Sequence, residues 1–319
     1  MKKRFLVAAV AATLVSPLAA QADATVYGNV HLSIDSPSFD DATQNDNLAM
    51  NSRTSAIGVK GKEDLGGGMT ALFKLEFQVD PDERNKTITD RDQWVGLKGA
   101  MGTVKFGTMS SNYKQMGGKI DPMYRTALEG RGFMGTQSGL HGGASENGGR
   151  STNTIQYSSP KMGGMNVVFN YTISGSDDET MGLGVRYKTK QILAYVDYID
   201  VQAANGGNIS LPAGSDSEAA FKIGGSYKMN AMTFGLQYES VEDVVGSDIV
   251  FASFNYQLND NDNVAVTLGD VDLADDMGYA VMYNHKMSKR TNVYAGYGDD
   301  ASNDNASQEQ LTFGIRHKF

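Results

Sequence analysis

The sequence predicts an all-β fold, a 16-stranded antiparallel transmembrane β-barrel. Three observations predict it. Apolar and polar residues alternate with period two through sixteen runs, the spacing of strands with one face in each environment. The links between those runs alternate between short and long. The mean hydropathy is −0.36, and no apolar stretch is long enough for a membrane helix, which needs about 20 residues. A barrel with lipid outside and water inside reconciles a polar average with a membrane, because closure pairs every backbone N–H and C=O.

The elements follow in chain order. Lys2, Lys3 and Arg4 precede an apolar run, Phe5–Val15, then Pro17 and Ala20-Gln21-Ala22. This is the three-part layout of a secretory signal, so residues 1–22 are expected to be a cleaved signal peptide and 23–319 the barrel. In Ala24–Asp35, Val26, Val30, Leu32 and Ile34 share one face, and Tyr27, Asn29, His31 and Ser33 the other. The runs 52–63, 68–79, 90–99 and 102–109 follow, then eleven more from 151–160 to 308–319. Most reach the ~9–11 residues that a tilted strand needs to cross a bilayer. Tight links include Gly99–Gly102, Lys161–Gly163, Asn230 and Met287–Lys289. Long ones include Ser36–Asn51, Asp80–Thr89, Ser110–Arg150, Val201–Ser217 and Asp300–Ser307. An up-and-down barrel inserted from one side produces this rhythm. Many tyrosines fall near strand ends, where ring and hydroxyl suit the membrane interface. Barrel diameter grows with strand number, so about sixteen strands leave an aqueous channel where about eight would be filled by side chains.

Composition removes several classes. Zero cysteine excludes disulfide scaffolds and thiolate metal sites. The net charge of −9, or −9 − 3 = −12 without the signal's three cations, argues against nucleic acid as a partner. The four histidines, His31, His141, His285 and His317, join no serine in a recognisable hydrolase motif. Asn259-Asp260-Asn261-Asp262 lacks the glycine and terminal glutamate of a calcium loop. No enzyme, cofactor or metal is expected.

Several segments carry a resemblance: Val26-Tyr27-Gly28-Asn29-Val30, Ile57–Gly68, Trp94–Gly99, Gly102–Gly107, Ser151–Pro160 and the closing Phe313–Phe319. In this order the chain resembles the general diffusion porins of the Gram-negative outer membrane, from the signal peptide to Phe319. The resemblance implies a homotrimeric, 16-stranded barrel for passive diffusion of ions and small hydrophilic solutes. It implies outer-membrane lipid and lipopolysaccharide as surroundings and the barrel-assembly machinery as a partner, with Phe319 as the assembly signal. It also places the third long loop, 110–150, inside the lumen. That loop has 41 residues and ten glycines, and its charges include Asp121 and Glu129, here expected on the loop side of a constriction.

Parity supplies the opposite wall. Ile57 and Val59 face lipid, so Lys60 faces in. Phe73, Leu75 and Phe77 face lipid, so Lys74 and Glu76 face in. Trp94 is read as facing out, so Arg91 and Gln93 face in, and Phe106 facing out turns Lys105 in. Lys60, Lys74, Arg91 and Lys105 are the expected basic wall, and Arg91 also stands at the spacing of a family arginine. Ala56 and Thr108 stand where the family often has arginine, which thins or shifts its ladder. Acidic outer loops lean selectivity toward cations, a basic neck toward anions; the acidic total tips this reading weakly to cations. A substrate-selective channel and a non-conducting adhesin or scaffold barrel are the alternatives.

Overall fold

In the computed structural model, the described residues are 23–39, 43–84, 88–136, 150–173, 180–202, 217–241, 247–271, 277–300 and 308–319. The expected signal peptide lies outside them, and β1 (Asp23–Phe39) starts at the residue after the expected cleavage point.

Each strand pairs antiparallel with its sequence neighbour, and β17 (Gln308–Lys318) pairs with β1, closing the sheet on itself. β2 (Ala49–Ser52) and β3 (Ala56–Gly66) pair with the two ends of β1 and act as one interrupted barrel strand. The remaining strands are β4 (Met69–Gln78), β5 (Thr89–Gly99), β6 (Gly102–Ser110), β7 (Arg150–Ser158), β8 (Met165–Thr172), β9 (Thr180–Lys188) and β10 (Ile192–Gln202). They continue with β11 (Ser217–Met229), β12 (Met232–Val241), β13 (Ser247–Gln257), β14 (Asp262–Val271), β15 (Gly278–Lys286) and β16 (Thr291–Asp300). Counting β2–β3 once gives the sixteen barrel strands that the alternation predicts.

The expected long link at Ser36–Asn51 is corrected. β1 runs on to Phe39, and Ala49–Ser52 is strand. The interruption at Arg53–Ser55 carries Thr54 at φ 61°, a left-handed conformation that a β-branched residue adopts only under strain. The break lets Arg53 reach back to Asp35, with which it forms an ion pair, and to Ser33 Oγ at 3.0 Å.

The outward positions are apolar. Val26, Ile34, Leu75, Val95, Phe106, Leu183, Leu236 and Phe313 are all exposed on the outer face, the surface that lipid covers in a barrel of this kind. Phe319 joins the barrel ends: its N–H donates to Gly28 O at 3.1 Å and its carbonyl accepts from Gly28 N at 3.2 Å. Its ring lies where a Cβ on residue 28 would sit, 2.5 Å away, so only glycine fits there.

The buried apolar cluster is on the inside of the barrel. β6 and β7 are joined by a segment that begins with α1 (Asn112–Ile120) and α2 (Gly130–Phe133). Ser111 caps α1, its side chain accepting from Lys114 N at 3.2 Å. Met116, Ile120, Met123, Leu128, Phe133 and Met134 of this segment are buried against Tyr195, Phe251, Ala265, Ala280, Met282 and Tyr294. These wall residues alternate with exposed neighbours such as Val250, Val281 and Tyr283, so they face inward. Glycines make room for the segment: a Cβ at Gly235 would lie 3.1 Å from Ile120 O, and one at Gly296 would lie 2.7 Å from Leu128 Cδ1.

Candidate functional site

Two kinds of inner wall adjoin each other around the lumen. The first is the charged wall of β3–β7. Its key local feature is a β-bulge: Leu75 pairs with Gln93 but Phe77 with Asp90, so Arg91 and Asp92 together oppose Glu76. Both bulged residues therefore turn inward. Arg91 Nε donates to Glu76 Oε1 at 2.8 Å and its Nη1 to Gln78 Oε1 at 3.2 Å. Asp92 accepts from Lys74 Nζ and from Arg150 Nε, each at 2.7 Å. Lys74 Nζ also lies 3.0 Å from Glu76 Oε2, which accepts from the Tyr27 hydroxyl at 2.8 Å.

The bulge corrects the parity reading beyond it. Trp94 faces in, directly opposite Lys74, with Lys105 Nζ 4.6 Å from its ring centroid. Gln93 pairs with outward-facing Leu75, and Val95 and Leu97 are exposed on the outer face. One extra residue in a strand reverses every side chain after it.

Lys60, Lys74, Arg91 and Lys105 all stand on the inner side, on β3, β4, β5 and β6. Lys60 Nζ lies 4.8 Å over the Tyr27 ring, and Lys105 Nζ is 3.5 Å from Gln156 Oε1. Neither Lys60 nor Lys105 has a carboxylate in ion-pair range among the described residues. The expected basic wall is interleaved with Glu76, which the parity reading also turned inward, and with Asp92, and Arg150 joins it.

Asp121 and Glu129 lie in the segment between β6 and β7, but their carboxylates serve its own backbone. Asp121 accepts from Met123 N at 2.7 Å and from Gly130 N at 3.0 Å. Glu129 accepts from Arg125 N at 2.8 Å and pairs with Arg131 at 3.1 Å. The expected picture of loop acids facing a basic wall is corrected: a short, glycine-rich turn leaves several N–H groups without strand partners, and these two carboxylates satisfy them. Burial pushes the Asp121 carboxyl up to about 7, with Glu129 nearby adding to the shift. A basic residue of the segment, Lys114, lies beside the charged wall instead. Burial lowers Lys114 to about 6, reinforced by Arg131, Arg150 and Arg91 around it. Residues 137–149 of the expected loop, including His141 and Glu146, lie outside the described residues.

The second wall, β8–β12, holds the segment by buried polar contacts. Asn112 Nδ2 donates to Asp197 Oδ1 at 2.9 Å, and Arg186 Nη2 donates to Asn112 O at 2.9 Å. Lys222 Nζ sits 3.8 Å over the Tyr113 ring and 4.0 Å from Glu239 Oε2. None of Arg186, Asp197 or Glu239 is singled out by sequence reasoning. The available signal is charge on the polar face of adjacent strands, but which cross-strand partners meet depends on register: Asp197 opposes Lys222, and Lys222 opposes Glu239.

Two of the described histidines are hydrogen-bonded to other strands. His31 Nε2 is hydrogen-bonded to the Tyr294 hydroxyl at 2.9 Å, and His285 Nδ1 to Asp262 Oδ1 at 2.7 Å. Among the described residues no group of three or more His, Cys, Asp or Glu side chains comes together to hold a metal.

The comparisons with known proteins fit this geometry. The family model described as Gram-negative porin matches residues 7–306. Outer membrane porin protein 32 of Delftia acidovorans is 28% identical over the full length of both chains. Among solved structures, an anion-selective porin from Comamonas acidovorans superposes with a TM-score of 0.75 at 23% identity, covering 94% of this chain and 100% of that one. OmpT of Vibrio cholerae, solved in a trimer form, superposes at 0.66 with 17% identity, covering 93% of this chain and 99% of that one; at these identities the structures speak for the fold. With a family model over most of the chain and a closed barrel of sixteen strands, the chain belongs to the Gram-negative porins, the barrels that form passive diffusion channels in the outer membrane.

Proposed function

We propose that the pore narrows between the segment Ser111–Thr136 and the charged wall of β3–β7, and that this neck prefers anions. The observation that carries the reading is the charge balance around Glu76 and Asp92. These two carboxylates are shared by Lys74, Arg91 and Arg150, while Lys60 and Lys105 rest on aromatic rings. A wet passage lined this way has an excess of positive charge where a permeating ion is most confined. The acidic outer loops act farther out, where water and salt screen them over about 10 Å or less. The neck therefore outweighs the acidic total that leans the sequence toward cations.

The assembly and processing follow the family. The signal peptide 1–22 is removed, three copies associate in the membrane, and Phe319 serves the insertion machinery at the seam it forms with Gly28. Lipid and lipopolysaccharide surround the exposed apolar belt. The protein works as a channel without catalysis, as its relatives' names as porins suggest.

The test is a reversal potential measured across a planar bilayer in a potassium chloride gradient with the purified protein. An anion-sided potential is expected, and Arg91→Glu moves it toward cations. A cation-sided potential in the unsubstituted protein overturns the anion preference. Sealed bilayers that contain inserted protein overturn the channel.

A further inference from the structure

On the inner wall of β15–β17, away from Glu76 and Asp92, a recess of about 470 Å³ opens beneath the turn Pro122–Thr126. Five cations line it: Lys286, Lys289, Arg290, Arg316 and Lys318. No carboxylate lines it among the described residues. This is unlike the charged wall, where Lys74, Arg91 and Arg150 share Glu76 and Asp92.

The register arranges these charges. Lys286 on β15 pairs with Asn292 on β16, and Asn292 pairs with Arg316 on β17. The two cations thus stand in one row on either side of an amide, separated by two strand spacings, about 10 Å at the backbone. Their side chains are long enough to converge over Asn292. The amide itself is held. Asn292 Nδ2 donates to Asn284 Oδ1 at 2.6 Å, Asn284 to Asn263 Oδ1 at 3.0 Å, and Asn263 to Asn255 Oδ1 at 2.7 Å. This chain uses one N–H of each amide and fixes their orientation, while an amide nitrogen carries two donors. Arg316 is under-used: its Nε is buried with no hydrogen-bond partner among the described residues, and Nη2 reaches only Asn29 Oδ1 at 3.4 Å.

We propose that this recess is a solute subsite for compact polyanions, small molecules carrying two or more negative charges, of which an oligophosphate is the simplest. Lys286 and Arg316 each engage one anionic end, and Asn292 donates between them. A monovalent anion satisfies only one of the two cations, so charge number selects at this site more strongly than at the neck. The proposal rests on the anion-conducting pore described above and adds a second, separate station to it.

The experiment uses the full-length protein in planar bilayers in potassium chloride. Inorganic pyrophosphate is the probe, added to either side and compared with orthophosphate and sulfate. Expected is a resolvable interruption of the current by pyrophosphate at concentrations about tenfold below those of orthophosphate. The double variant K286Q/R316Q is expected to weaken that interruption by about tenfold or more, and N292L by a smaller factor. Equal potency of pyrophosphate and orthophosphate, or an unaltered interruption in the double variant, overturns the subsite. If the double variant does not insert, N292L and K286Q alone decide by the same readout. The potassium chloride reversal potential, recorded in the same membranes, reports the neck independently. An anion-sided potential without selective pyrophosphate block overturns the subsite and leaves the neck reading intact.

Discussion

The two inner walls of this barrel show how differently a lumen can be used. β3–β7 presents a charged surface: Lys74, Glu76, Arg91, Asp92 and Arg150 in one hydrogen-bonded cluster. β13–β16 presents a bed of glycines, alanines and large apolar residues on which Met123, Leu128 and Met134 are fully buried. Both are the inner faces of strands whose outer faces are apolar. An inward face is therefore not polar by rule. It is polar where water remains and apolar where the chain fills it, and the β6–β7 segment gives this barrel half a core.

The comparison breaks most sharply at the bed. Leu128→Ala removes a fully buried side chain and is expected to cost about 2–5 kcal/mol of local packing. Gly235→Val places a side chain against Ile120 O and Ser253 Oγ and is expected to lift the same segment. Faster proteolysis within Ser111–Thr136 and a noisier, larger single-channel conductance are the readouts. Unchanged conductance in both variants would separate the segment from the neck.

On the charged wall, Asp92→Asn leaves Lys74 and Arg150 with Glu76 as their one remaining acid, at 3.0 and 3.9 Å. It is expected to move the reversal potential further toward anions, and to lower stability by about 1–3 kcal/mol in urea titration. A potential that stays put would mean that ions pass elsewhere.

A third, smaller effect links the walls, because Lys114 on α1 lies among Arg91, Arg131 and Arg150. Its ammonium is held down to about 6, so it gains its charge only as pH falls through that value. Anion preference is expected to rise between about pH 7 and about pH 5, and Lys114→Met to flatten that rise. Asp121 works the other way on stability. Its folded value is raised to about 7, so the segment docks most firmly at acid pH and loses that contribution as pH climbs from the ordinary carboxylate range through about 7. Asp121→Asn is expected to remove this loss of protection from proteolysis toward neutral pH and to leave the opposite, smaller dependence that Lys114 supplies over this window.

The smallest effect lies at the strand break. Thr54→Gly relieves a left-handed φ of 61° and is expected to stabilise the barrel by about 1 kcal/mol in the same urea titration.

Much of the barrel was legible because alternation is local. Each strand records on its own which face meets lipid, and Leu183, Val185 and Tyr187 against Gly182, Gly184 and Arg186 need no partner to be sorted. Lys60, Lys74 and Lys105 were placed inward by that rule alone, whereas Arg91 was placed inward from a misread Trp94 and faces in because of the bulge. Trp94 was misplaced because a bulge is a property of two strands: the extra residue at Arg91–Asp92 exists only relative to Glu76. α1 was missed because Gly117 and Gly118 interrupt its apolar spacing, although Ser111 is a legible cap. The strand Ala49–Ser52 was missed because four residues carry too little pattern.

By itself the sequence determined the class of fold, the membrane it suits and the faces of its strands, since periodicity, turn residues and composition act over a few residues. Only the tertiary structure decided what those faces meet. Asp121 and Glu129 turned into their own segment, Asp197 met Asn112, and Lys286 and Arg316 came to flank Asn292. The reason is physical: ion pairs and hydrogen bonds reach only a few ångströms. Their partners are set by closure, register and one inserted residue, none of which a single strand contains.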